Sequence, residues 1–61
     1  MKFIRFKDYS NHDKLLNVDN IMEIIPNGTY TRIIFVNGSW KDYGVKYEDV
    51  IATLAEEVKE V

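Results

Sequence analysis

Apolar and charged residues alternate at the start of the chain, where residues 2–7 read Lys-Phe-Ile-Arg-Phe-Lys. That period of two predicts a strand with Phe3 on one side and Ile4 and Phe6 on the other. Residues 8–13 are polar turn formers. Residues 14–17 read as a short strand returning beside the first. Asn17, Asp19 and Asn20 then favour local side-chain bonds over a regular ladder, which predicts a break. Residues 21–25 form a third strand, ended by Pro26 and the step Asn27-Gly28. Residues 30–36 and 39–45 form the fourth and fifth strands, with a bulge or bend expected at Gly44. The steps Asn27-Gly28 and Asn37-Gly38 predict type I′ turns, whose twist suits a hairpin. From Lys46 the apolar spacing changes: Val50, Ile51, Leu54, Ala55, Val58 and Val61 make one helical stripe. Glu48 and Asp49 fall in the first turn, where the helix dipole favours them, while Glu60 at the other end predicts fraying.

These elements predict an α+β fold. It is an antiparallel meander of four to five strands with one C-terminal helix on one face, in a single domain spanning 1–61. The expected core is Phe3 or Phe6, with Leu16, Ile21, Ile24, Ile33, Phe35, Val45, Val50, Ile51, Leu54 and Val58. The strands do not alternate cleanly. Leu15-Leu16, Ile24-Ile25 and the run Ile33 to Val36 are apolar on both sides. One helix covers one face of a sheet, so the second face is expected to meet another copy or a partner.

Size points the same way. A chain of 61 residues buries only about 60% of the surface its unfolded form exposes and usually needs a disulfide, a metal or a partner subunit. The chain has no Cys and one His, which leaves the partner subunit. No apolar run approaches the ~20 residues of a membrane span, and the charged start does not read as a signal peptide. A cytoplasmic setting is expected. Charge is uneven: residues 1–46 carry a net +2 and residues 47–61 a net −4. That is not the dominant positive footprint of a nucleic-acid binder.

Three segments carry a family resemblance: Leu16-Asn17-Val18-Asp19-Asn20-Ile21-Met22-Glu23-Ile24, Thr31-Arg32-Ile33-Ile34-Phe35-Val36-Asn37-Gly38 and Val45-Lys46-Tyr47-Glu48-Asp49-Val50-Ile51. Together they resemble the small FlbD-type flagellar proteins. The resemblance implies a compact β-rich chain with a terminal helix, linked to flagellar motility. Here the first connection is longer and more polar, and Val18 stands near a position where that family usually has Pro. The resemblance brings no catalytic residue. Small accessory proteins of bacteria and phages share the same general look.

Candidate chemistry is sparse. His12 beside Asp13 has the residue type of a general base, but no Ser, Cys or second acid is placed to complete a site. Asp8, Asp13, Asn17 and Asp19 lack the Gly and distal Glu of a calcium loop. No phosphate-binding loop exists, since the glycines stand singly. No catalytic activity, cofactor, metal or small-molecule substrate is expected. The aromatic and apolar residues of the second hairpin are the stronger signal. Tyr30, Arg32, Ile34, Val36, Trp40 and Tyr43 include the types that dominate binding hot spots, although a Trp in this position also suits a core. The expected function is a non-enzymatic interaction or regulatory module that self-associates through its sheet and binds a protein partner. The alternative is a small nucleic-acid-binding protein using the same aromatic surface with Lys2, Arg5, Lys7, Lys41 and Lys46.

Overall fold

Five strands precede a helix in the computed structural model, which describes residues 2–57. They are β1 (Phe3–Lys7), β2 (Asp13–Asn17), β3 (Ile21–Asn27), β4 (Tyr30–Phe35) and β5 (Trp40–Tyr43), followed by α1 (Tyr47–Glu57). A single 3-10 turn, Val18–Asn20, separates β2 from β3. The fold is small α+β with antiparallel pairings throughout. The strands do not form one continuous meander, however. They make a two-stranded sheet, β1–β2, and a separate three-stranded sheet, β3–β4–β5. The polar break explains the separation. The Asn17 side chain accepts a bond from the Asp19 amide, and Val18 N–H donates to the Lys2 carbonyl. The chain therefore turns away before β3 begins instead of pairing it with β2.

The core lies where the β1–β2 hairpin, the inner face of the larger sheet and α1 meet. Ile4, Phe6, Ile33, Tyr43, Val45 and Val50 are buried, and Leu16, Val18, Ile21, Ile24, Phe35 and Leu54 pack against them. Phe6 rather than Phe3 is the buried aromatic, and Ile4 joins it. Helix α1 packs on β1. Its buried stripe is narrower than the sequence pattern predicts: Val50 is fully buried and Leu54 half-buried, but Ile51 and Ala55 face outward. Val58, Glu60 and Val61 lie outside the described residues. Thr31 is fully buried and spends its hydroxyl on the Val45 carbonyl at 2.7 Å, tying the centre of the sheet to the segment that starts the helix.

An irregularity in β3 sets which of its side chains face inward. Met22 is an extra residue in β3, since Ile21 opposes Phe35 and Glu23 opposes Ile34. This bulge lets Ile21 and Ile24 both face the core although they stand an odd number of positions apart. Strand β3 also continues through Pro26, which opposes Thr31. Proline is tolerated there because β3 is an edge strand.

The two Asn-Gly steps form two different turns, neither of type I′. Asn27 opposes Tyr30 as the last residue of β3, and only Gly28 has positive φ (62°). Gly28 and Thr29 thus form a two-residue loop with the φ signs of type II′. In the second hairpin, Gly38 N–H donates to the Phe35 carbonyl and Phe35 N–H to the Ser39 carbonyl, with Gly38 at φ 90°. That is a three-residue loop of a type I turn and a left-handed Gly. Residues 8–12 repeat it, with Asn11 at φ 65° in the glycine position.

The second loop has a large effect on the sheet. A type I′ turn would set Val36 against Ser39 and Tyr43 against Arg32. The longer loop shifts the register by one residue and sets Trp40 against Ile34 and Tyr43 against Thr31. A slip of one exchanges the two faces of a strand. Tyr43 therefore points into the core and Trp40 points out.

Candidate interaction surface

The outer face of β3–β4–β5 carries Tyr30, Arg32 and Ile34 from β4, Trp40 and Asp42 from β5, and Glu23, Ile25 and Asn27 from β3. Trp40 is 57% exposed and Tyr30 48%. Of the two readings open for Trp40, core or surface, the structure shows the surface one, for the register reason just given. Arg32 organises the centre. Its Nε and Nη2 donate to the two carboxylate oxygens of Asp42 at 2.8 and 3.2 Å, a forked arrangement that fixes the guanidinium plane. The same guanidinium lies 4.1 Å from the centroid of the Trp40 ring, within cation–π range. Asn27 Nδ2 adds a 3.3 Å bond to Asp42. The Arg32 hydrogen bond holds the Asp42 carboxyl below its ordinary value against a smaller opposing effect of burial, and the pairing raises Arg32 in turn.

One end of this face is closed by the first loop. Tyr9 N–H donates to the Gly44 carbonyl, and the Tyr9 hydroxyl donates to the Thr29 carbonyl. The Tyr9 ring meets Tyr30 edge-on at 5.9 Å and lies against Gly44, where a Cβ would sit 3.0 Å from it. The loop is held by Asp8, whose carboxylate accepts from the Ser10 and His12 amides at 3.0 and 2.9 Å. The His12 amide bond is the main cause of a lowered Asp8 value.

Of the six residues expected to contact a partner, the structure brings together Tyr30, Arg32, Ile34 and Trp40. Tyr43 lies on the opposite side, buried edge-on against Phe6 at 5.7 Å. Val36 is exposed but sits in the turn. It lines a shallow hollow of about 270 Å³ with Asn20, Phe35, Asn37 and Ser39. The sequence reading missed Tyr9 and Asp42, and Ile25 entered it only as one of the doubled apolar positions. A carboxylate one strand away from Arg32 was the available signal for Asp42.

His12 is exposed, its ring 3.9 Å from Asp8. Asp13 pairs with Arg5 and Lys7 at 3.3 and 3.8 Å. Among the described residues no three His, Cys, Asp or Glu side chains converge on a metal site, and no helix is long and apolar enough to cross a membrane. Comparison with protein-family models, curated proteins and solved structures finds no match to this chain.

Proposed function

We propose that this protein is a small non-enzymatic interaction module, of a regulatory kind, that pairs with a second copy of itself through the outer face of β3–β4–β5 and in that form engages a protein partner. The observation that carries the reading is Trp40. A large ring stands more than half exposed beside Ile34, yet it is already held in one pose by Arg32, which Asp42 holds in turn. Ordering costs of binding are thereby reduced before contact. The doubled apolar pairs support the same reading. Ile24 and Ile33 fill the core, while their neighbours Ile25 and Ile34 remain on the outer side. The Cys-free sequence suits work in a reducing cytoplasm.

The alternative partner, a nucleic acid, is less well supported. Aromatic rings on a sheet can stack on bases, but the cation at the centre of this outer face, Arg32, is already paired with Asp42.

Sedimentation over a wide concentration range tests the proposal. The parent chain is expected to show a dimer that dissociates on dilution. Trp40→Ala should weaken it by about a thousandfold, since each of the two copies loses a hot spot worth about 2 kcal/mol. Ile34→Lys should abolish the dimer while leaving the fold intact, since the long stem can lie along the sheet. A strictly monomeric parent at high concentration refutes the proposal. Oligonucleotide binding that falls steeply with salt would favour the alternative.

A further inference from the structure

The two Asn-Gly steps share a chemistry as well as a role in the turns, and the structure treats them unequally. We infer that Asn37 is a site of spontaneous deamidation and that Ser39 activates it, whereas Asn27 is protected.

In this reaction the backbone nitrogen of Gly38 loses its proton to solvent base and attacks Cγ of Asn37. A Cγ–N bond forms and negative charge gathers on Oδ1. The Cγ–Nδ2 bond then breaks, and the nitrogen leaves as ammonia after taking up a proton. Water is the co-reactant: it opens the cyclic imide at either carbonyl, giving aspartate or isoaspartate. A following glycine permits the step because no side chain crowds its nitrogen. Around Gly38 nothing lies within 4 Å of where a Cβ would be.

What distinguishes the two sites is the environment of the amide under attack. Asn37 Oδ1 accepts from both the Ser39 hydroxyl, at 2.7 Å, and the Ser39 amide, at 3.0 Å. Two donors aimed at the oxygen where charge develops stabilise that charge. Asn27 has the reverse arrangement. Its Nδ2 donates to the Asp42 carboxylate at 3.3 Å. A carboxylate beside Cγ opposes new negative charge on the same group, and it holds the nitrogen that has to leave. Asn27 is also paired with Tyr30 in the ladder, whereas Asn37 stands in an exposed loop. Gly38 must release its bond to the Phe35 carbonyl before attack, so opening of this three-residue loop gates the reaction.

The product acts on the surface described above. Isoaspartate lengthens the backbone inside the loop whose length decides that Trp40 faces outward. The loop would then hold the β4–β5 register less firmly.

Incubation of the intact protein at mildly alkaline pH, followed by peptide mapping with mass spectrometry and isoaspartate detection, tests the inference. Asn37 is expected to convert at least fivefold faster than Asn27. The Ser39→Ala variant, with its fold checked by circular dichroism, should slow Asn37 by about fivefold, the net worth of one hydrogen bond, and leave Asn27 unchanged. Asp42→Asn should speed Asn27. In denaturant the two sites should converge. Equal rates in the folded protein, an unchanged Asn37 rate in Ser39→Ala, or the same ratio in folded and denatured chains would overturn the assignment.

Discussion

Replacing Thr31 by Val isolates a buried side-chain hydrogen bond that links the large sheet to the segment leading into the helix. Thr31 is fully buried, and its hydroxyl meets the Val45 carbonyl at 2.7 Å. Valine has nearly the same shape, so packing changes little, but the bond is lost and a buried carbonyl loses its donor. Such a loss costs about 1–3 kcal/mol. A chain of this length has a total stability of roughly 3–9 kcal/mol. The variant therefore gives up a large share of it. With 1 kcal/mol worth about 4–8 °C in a domain this small, a loss of 2 kcal/mol lowers Tm by about 8–16 °C. Thermal unfolding followed by far-UV circular dichroism reads the shift. A urea titration should show a lower midpoint with an unchanged slope. Amide exchange at the first turn of α1 should rise as well, because Val45 leads directly into it. A Tm within about 2 °C of the parent would refute the reasoning, since one hydrogen bond in this setting has to be worth more than that.

Other substitutions probe the turns and the charge pairs. Gly38→Ala meets no neighbouring atom, so its loss should be pure left-handed backbone strain of about 1–2 kcal/mol, read by urea unfolding; no loss would show that the loop is free to change shape. Gly44→Ala pushes a methyl against the Tyr9 ring and should alter the near-UV tyrosine signal more than it alters Tm. The Asp8, Asp13 and Asp42 carboxyls all lie below their ordinary value in the folded protein, held there chiefly by the His12 amide, by Arg5 and by Arg32 respectively. Their stabilisation is fully present above the ordinary carboxylate range and is lost as pH falls through the lowered folded values. Tm should therefore drop below about pH 4, and less steeply in Asp42→Asn; a flat profile would remove these pairs from the stability account. Trp40 emission should be red-shifted and readily quenched in dilute protein, then shift to the blue on association.

Much of the architecture was legible in the sequence because hairpins announce themselves locally. Each strand begins and ends within about two residues of where alternation and turn formers place it, and the helix begins at the change of period. Facing was harder to read. It depends on parity, and parity depends on single inserted residues. The extra Met22 brings Ile21 and Ile24 to one side, and the third residue of the loop at Val36 to Gly38 exchanges Trp40 with Tyr43. No period-two pattern carries that information. The split into two sheets was hidden for a related reason. The segment at Val18 to Asn20 looks like any polar break, and its redirection of the chain comes from a bond to Lys2, far back in the sequence. The candidate surface was legible in its residue types, but its fixing by Asp42 and its closure by Tyr9 are contacts between distant segments.

The grip of Tyr9 on the far end of the large sheet bears on how the molecule assembles. It joins groups 20 residues apart in the chain, and the core contacts of Ile4 and Phe6 with Ile33, Tyr43 and Val50 span longer loops still. Single hairpins zip within roughly 1–10 μs, but neither sheet has a complete interior until β1–β2 docks on β3–β4–β5. Long closures of that kind slow the search. Docking of these two halves is then the step expected to limit folding, and the Tyr9 contacts lie across the junction it creates.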